Sequence, residues 1–282
     1  MLLNPLTFHA PTSISEVIRL YSSLEGVKLQ AGGTFLLNNL KVLKRKGLKT
    51  PNHVVSLRNV AELKGITEEG NLLVIKAMTT ITDLLESPVL TGNMQILKIA
   101  AKNVSTCPIR NMATVGGNLT CRYTWTEMPA VMIGLEADLH FMGTKGQEEV
   151  IPAEEFYQKG AKTEKLFTHV TIKKDPQALM AYRRVKKSPN VDIPLLSVLI
   201  RTHFIGNRFT NTRVSINNCV GFAQRDYTLE GFLNQSSRSE HIAHEALDHL
   251  DEPIYDIRSS DYKKHIFRVS IKDALTELIG KK

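Results

Sequence analysis

The 282-residue chain is poor in cysteine, in aromatic residues and in long apolar runs, and each shortage excludes a class of protein. Its three cysteines, Cys107, Cys121 and Cys219, are odd in number and widely spaced, with no C-x-x-C pair. No disulfide framework, zinc site or iron–sulfur site is therefore encoded, and a reducing compartment is expected. No stretch approaches the roughly 20 apolar residues of a membrane span. Residues Met1 to Ala10 lack both a basic start and a sustained apolar run, so they do not read as a signal peptide. A cytoplasmic protein with no membrane partner is the expectation. No G-x-G-x-x-G follows a strand pattern, which leaves no Rossmann fingerprint for a nicotinamide cofactor. Aromatic residues make up only 6% of the chain. They do not interleave with the basic clusters Lys41, Lys44, Arg45, Lys46, Lys49 and Arg183, Arg184, Lys186, Lys187. Despite a formal net charge of +8, nucleic acid is thus not an expected partner; the clusters read as solvated faces or as a surface for an acidic partner subunit.

What is present suits a cored, two-domain protein, with 42% hydrophobic residues and a soft boundary near residue 175. Ser13 with Glu16 three residues on reads as a capping box for a helix carrying Val17, Ile18, Leu20, Tyr21 and Leu24. A short strand Val27–Gln30, a helix from Phe35 to Val42 and a strand His53–Leu57 complete a small β-α-β-α-β layer. Leu63–Ile66 and Leu72–Ala77 flank a Glu68-Glu69-Gly70-Asn71 turn and predict a hairpin. A helix starting at Thr80 or Thr82, a helix Ile96–Val104 ended by Pro108, a helix Met128–Glu136, a hairpin Asp138–Met142 with Glu148–Ile151 and a strand Lys165–Lys173 follow. Beyond these come three antiparallel strands, Leu179–Val185, Leu195–Phe204 and Phe209–Val220. Helices Thr228–Leu233, Glu240–Leu250 and Tyr262–Ile279 then follow, the last with Ile266, Val269, Ile271, Ala274 and Leu278 as its apolar stripe.

Two glycine turns carry the chemistry: Ala31-Gly32-Gly33-Thr34 after a strand, and Thr114-Val115-Gly116-Gly117-Asn118 after a helix. Paired glycines reach φ > 0 and let a ligand approach bare N–H groups, and each turn adds a hydroxyl. The first also leads into a helix N-terminus, whose dipole favours an anion. Either turn alone is first a turn; two facing nests suit a pyrophosphate.

These segments, extended to Leu29–Thr34 and Ile109–Leu119, resemble the two flavin motifs of the FAD-binding (medium) subunit of the molybdenum hydroxylase family, the family of xanthine dehydrogenase and aerobic carbon monoxide dehydrogenase. The resemblance spans nearly the whole chain, including Leu73–Thr80, Pro129–Met132, Arg213–Leu233 and Tyr262–Leu275. It implies an α+β, PCMH-type FAD-binding fold: lobe one (about 1–58) and lobe two (about 59–175), then a C-terminal domain (176–282) of a three-stranded antiparallel sheet with helices. FAD is then held by Leu29, Gln30, Ala31, Gly32, Gly33, Thr34, Phe35 and Leu36 from lobe one, and by Thr114, Val115, Gly116, Gly117, Asn118, Glu127 and Leu166 from lobe two, with Arg183 near the flavin ring. No protein side chain acts as a catalyst and no metal is held. The implied partners are a small [2Fe-2S] subunit and a large molybdopterin subunit, in a dimer of heterotrimers. Electrons go to NAD+ or another acceptor, with purine (xanthine) oxidation the expected overall reaction and carbon monoxide, aldehyde or N-heterocycle oxidation the alternatives.

Three residues depart from the family pattern. Phe35 stands where Asp, Ser or Glu is usual, which removes a side-chain contact but not the backbone one. Glu127 stands for an Asp that touches ribose or ribityl hydroxyls, and reads equally as a partner of a helix dipole. Arg183 stands for a Lys, either as a fixed cation near the flavin or as part of a basic surface patch. Arg110 either braces the second motif or caps the preceding helix. Tyr123 and Trp125 pack beside the cofactor or meet a partner, and Cys107 and Cys121 are assigned no chemistry. A cofactor-free assembly module of the same fold is the reading of another class.

Overall fold

In the computed structural model, residues 4–188, 191–218, 221–256 and 260–281 are described. The end of the strand predicted to reach Cys219 and Val220 lies outside them.

The first unit forms as its pattern predicts. Strands β1 (Thr7–His9), β2 (Val27–Gln30) and β3 (His53–Ser56) pair in parallel in the order β1-β3-β2, and the crossovers are α1 (Ile14–Ser23) and α2 (Leu36–Arg45). Ser13 caps α1 by accepting from the Glu16 N–H at 3.2 Å. The reciprocal bond is displaced by one residue, since the Glu16 carboxylate accepts from the Thr12 N–H at 3.1 Å and not from Ser13. Val17 and Ile18 then turn inward onto the sheet.

Lobe two is a five-stranded antiparallel sheet in the order β4-β5-β8-β6-β7, built from β4 (Ile66–Glu69), β5 (Leu72–Lys76), β6 (Asp138–Met142), β7 (Glu148–Pro152) and β8 (Leu166–Lys173). Its helices are α3 (Ile81–Glu86), α4 (Gln95–Lys102), α5 (Cys107–Arg110), α6 (Val115–Thr120), α7 (Met128–Gly134) and α8 (Ala153–Gln158). Thr80, not Thr82, starts α3, in a full capping box with Asp83. Pro108 does not end α4, which stops at Lys102 ahead of Ser105 at φ 46°. It opens α5 instead, where a missing N–H costs nothing. Arg110 ties down the loop that follows α4 by donating to the carbonyls of Val104 and Ser105 at 3.1 and 2.9 Å.

The C-terminal part pairs β9 (Leu179–Ser188), β10 (Val191–Ile205) and β11 (Arg208–Asn217), and a two-residue strand β12 (Gln224–Arg225) adds a fourth to the expected three. Against it lie α9 (Tyr227–Gln235), α10 (Ile242–Glu245), α11 (Glu252–Asp256) and α12 (Asp261–Gly280). The expected helix Glu240–Leu250 breaks into α10 and a tighter turn over Ala246–His249. In α12 the buried stripe is Phe267, Ile271, Ala274, Leu275 and Leu278, whose spacing follows the 3.6-residue period; Val269 falls off it and is exposed.

One apolar core runs from Val17 and Val55 of the first sheet through Ile75, Leu97, Met132 and Phe156, and a second joins Val198, Ile200 and Ile216 to Phe267 and Ile271. Helix α7 links them. Every residue from Met128 to Gly134 is buried, as a helix apolar on all sides requires. A Cβ on Gly134 would stand 2.6 Å from Leu199 Cδ2, so glycine lets α7 seat closely on the C-terminal sheet without displacing that side chain, and Ser215 donates to the Ala130 carbonyl at 2.7 Å.

On the other face of the lobe-two sheet, His140 and His169 stack at 4.0 Å across β6 and β8. Burial first, then His140 and Lys76, push His169 down to about 4. Burial also lowers His140, against the opposing pull of Asp138 and Glu148. Both rings are favoured neutral in the fold, whereas the unfolded chain takes up their protons near pH 6.5. This contribution to stability is therefore complete above about pH 6.5 and is lost as the pH falls towards 4. Urea unfolding midpoints should decline across that window, and His169→Gln should flatten the decline by roughly 1 kcal/mol once screening of a half-exposed ring is allowed for. Superimposable profiles of variant and wild type would refute the assignment.

Candidate functional site

The backbone of the first glycine motif leaves its N–H groups open at the start of a helix. Strand β2 ends at Gln30, and α2 begins at Leu36 with Phe35 in the capping position, which has no side-chain oxygen to offer. The N–H groups of Gly32, Gly33, Thr34, Phe35 and Leu36 donate to no other described group. An uncapped helix start with a run of open N–H groups carries partial positive charge that an anion satisfies. Gly33 adopts φ +72°, and a Cβ there would also meet Gln30 Nε2 at 2.6 Å. Gly32 has a different reason. Its Cβ would stand 1.8 Å from the carbonyl oxygen of Met112, so glycine here lets the turn lie directly on lobe two.

The second motif corrects the expectation of two open nests. Residues 115–118 form the first turn of α6, with Thr114 as its cap accepting from the Gly117 N–H at 3.0 Å. The N–H groups of Val115, Gly116 and Asn118 donate to the carbonyls of Thr79, Ala77 and Thr114 at 2.8–2.9 Å. None of the four is left for a ligand, and neither glycine has φ > 0. A Cβ on Gly116 would meet the Ala77 carbonyl at 2.8 Å and Phe167 at 2.9 Å, so this glycine packs α6 onto β5 and β8. Gly117 faces Ala31 across the lobes, the nearest atom of which would lie 3.6 Å from its Cβ. The motif supplies a thin wall to the cleft in place of donors.

Between the two motifs lies a cavity of about 1300 Å³. Leu29, Ala31, Gly32, Gly33, Thr34, Phe35, Leu36, Thr114, Gly116, Gly117, Asn118, Glu127 and Leu166 all line it. Gln30, Val115 and Arg183 do not. Gln30 packs its amide beneath Gly33, and Val115 is wholly buried in the core. Sequence reasoning missed Tyr21, Arg122 and Lys162 on the rim. Cys121 also lines the cavity, and burial pushes its thiol up to about 11, which keeps it protonated and without nucleophilic chemistry.

Arg183 is misplaced by strand parity. Successive side chains of β9 point to opposite faces. Arg183 donates to Glu277 at 2.5 Å and to the Asp273 carbonyl at 3.1 Å on α12, away from the cleft. Its neighbours Tyr182 and Arg184 point the other way and take the two oxygens of Glu127: Tyr182 donates to Oε2 at 2.8 Å, and Arg184 Nε donates to Oε1 at 2.7 Å. Glu127 and Arg184 are each only 4% exposed at the side chain, and Glu127 makes no cap bond to α7. Glu127 is thus one half of a buried ion pair that ties the cleft wall to the C-terminal sheet. Burial, then the Glu127 charge, hold the Tyr182 hydroxyl well above its ordinary range, so it stays a donor. The alternation of Tyr182, Arg183 and Arg184 was the available signal, but it does not say which parity faces inward.

Breaking a buried pair strands the remaining charge, at a cost of about 3–5 kcal/mol, whereas a part-exposed pair contributes about 1 kcal/mol or less. Arg184→Met should therefore lower the unfolding free energy by about 3 kcal/mol or more, and Arg183→Met by about 1 kcal/mol or less. Equal losses in urea titrations would contradict the assignment of Arg184, and not Arg183, to the cleft wall.

Residues 4–174 match the family model described as the FAD binding domain in molybdopterin dehydrogenase. The chain is 28% identical over 286 aligned residues to the carbon monoxide dehydrogenase medium chain of Hydrogenophaga pseudoflava, covering 95% of each. It is 32% identical to a putative xanthine dehydrogenase FAD-binding subunit of Escherichia coli, over 50% of this chain and 47% of that one. Among solved structures, carbon monoxide dehydrogenase from Hydrogenophaga pseudoflava, in a form lacking the Mo-pyranopterin moiety of its cofactor, superposes with a TM-score of 0.88 at 26% identity, covering 98% of this chain and 97% of that one. With the PCMH-type fold, the two motifs in order and a cleft between them, the chain belongs to the FAD-binding medium subunits of the molybdenum hydroxylases.

Proposed function

We propose that this subunit relays electrons within a three-subunit molybdenum hydroxylase, receiving them from [2Fe-2S] clusters of a small subunit and delivering them to NAD+ or another acceptor. The observation that carries the reading is the run of five unclaimed N–H groups from Gly32 to Leu36, facing a cavity of about 1300 Å³. That volume exceeds the roughly 300–1,000 Å³ of ordinary small-ligand pockets, as an extended dinucleotide requires. The donor set also fits: a pyrophosphate without a metal is met by neutral backbone donors and a helix dipole, with no buried cation to desolvate.

When bound, FAD supplies the chemistry, accepting single electrons and releasing a pair as hydride. The chain's own residues bind, orient and shield. The Gly32–Leu36 turn holds the pyrophosphate, and Gly33 makes that conformation accessible. Gly117 and Asn118 form the opposing wall at backbone distance. Glu127, tied down by Tyr182 and Arg184, fixes the wall where the C-terminal sheet meets the cleft, while protonated Cys121 adds no competing nucleophile.

On this reading the large molybdopterin subunit chooses the substrate, so the purine expectation has no residue of this chain behind it. The likeness to a carbon monoxide dehydrogenase medium chain runs over more of the sequence than that to a xanthine dehydrogenase subunit, which supports carbon monoxide at least as well. The proposed assembly is a dimer of heterotrimers.

The full chain should purify yellow or take up FAD to one equivalent, and release it on denaturation; a colourless protein that refuses added FAD would overturn the relay. Gly33→Val, which forces a branched side chain into the left-handed region, should weaken FAD binding about tenfold or more. Gly117→Ala, in a helical turn whose N–H groups are already paired, should change it far less. The reverse order in a flavin-fluorescence titration would move the pyrophosphate to the second motif.

A further inference from the structure

Three aromatic rings cross the mouth of the cleft. Phe35, from the turn of lobe one, lies 4.4 Å from Tyr123 between ring centroids, tilted by 55°; Tyr123 lies 4.3 Å from Trp125, tilted by 47°. Tyr123 and Trp125 belong to the segment joining α6 to α7 in lobe two, so the ladder bridges the lobes. All three residues line the cavity. The outer rings keep free faces, with Phe35 38% and Trp125 43% exposed.

The segment carrying Tyr123 and Trp125 is anchored although its rings are open. The Tyr123 N–H donates to the Cys121 carbonyl at 2.7 Å, and Thr126 donates to the Tyr123 carbonyl at 3.0 Å. Thr124 hydrogen-bonds Asn218 of the C-terminal part at 3.2 Å. Phe35 is placed as tellingly. It occupies the capping position of α2, where a side-chain oxygen would compete with a ligand for the open N–H groups. Phenylalanine leaves those groups to the ligand and adds a ring beside them. Exposed rings at a cleft mouth recover their hydration cost when a planar, largely apolar ligand covers them.

We propose that Phe35, Tyr123 and Trp125 form a clasp that lies across FAD when its pyrophosphate is docked on the Gly32–Leu36 turn, and that the clasp slows release of the cofactor. It rests on the reading of the cleft as the FAD site. Because the rings bridge the two lobes across the cleft, they must part before the cofactor leaves, and their loss shows in the rate of dissociation. Because Phe35 and Tyr123 share one contact, their effects are coupled.

Trp125 is the sole tryptophan of the chain, so its emission reads the clasp directly. With the full-length protein, FAD binding should quench Trp125 emission. Phe35→Ala and Tyr123→Ala should each speed FAD release about five- to tenfold, as lost aromatic pairs predict, with the double variant little faster than either single one. Thermal midpoints of the unloaded variants report folding, and Phe35→Leu, which keeps an apolar side chain without the ring, serves if the alanine variant fails to fold. Unchanged or strictly additive release rates would overturn the clasp while leaving the FAD site intact. Tighter FAD binding in the variants would overturn it too, by showing that the rings obstruct the cleft. A wild-type chain that binds no FAD overturns the cofactor reading and the clasp with it.

Discussion

Gly32 has no side chain, and the carbonyl of Met112 occupies the space where one would be. That single contact seats the first lobe's turn on the second lobe, and the remaining geometry of the cleft follows from it. It sets Ala31 against Gly117, brings the open N–H groups of the turn opposite α6, and lets Phe35 reach Tyr123. Backbone against backbone is a stiff contact, because no rotamer change relieves it. The walls of the cleft are in this sense set by backbone packing, which also fixes the position of the open N–H groups of the turn.

The two motifs divide the work unequally. The first leaves its N–H groups without internal acceptors; the second satisfies every one of its N–H groups within the protein and presents shape alone. Glycine serves both, for opposite reasons. Gly33 grants a left-handed backbone, whereas Gly116 and Gly117 take ordinary helical angles and grant proximity. A similar economy joins the cleft to the C-terminal sheet. Helix α7 is buried on every side, and Glu127 at its start is held by Tyr182 and Arg184 of β9. The C-terminal part thus fixes one wall of a cavity whose donors come from the far lobe.

The surplus of positive charge is spread in keeping with these roles. Lys41, Arg45, Lys46 and Lys49 are exposed on and beyond α2, a solvated face. Arg183 and Arg184, adjacent in sequence, go to different places: one to α12, the other into the cleft wall. Only the second reaches the cleft wall, where it is paired with Glu127.

Much was legible from residue patterns. The β-α-β-α-β opening, the hairpins, the helix that begins at Met128 and the order of the two glycine motifs all rest on local periodicity and turn chemistry, which act between neighbours in the chain. What remained hidden involves partners distant in sequence. Pro108 suited a helix end as well as a helix start, and only the placement of Ser105 decided between them. The second motif read as an open nest because nothing local reveals that Thr79 and Ala77 lie ready to accept its N–H groups. The alternation along Tyr182, Arg183 and Arg184 established that they face opposite ways, but which parity faced the cleft depended on the strand's packing between α7 and α12. The sequence by itself determined most of the elements, the two glycine turns and the family; tertiary structure alone decided which donors stay free and which arginine reaches the cleft wall, because those depend on surfaces that meet only when the lobes pack together.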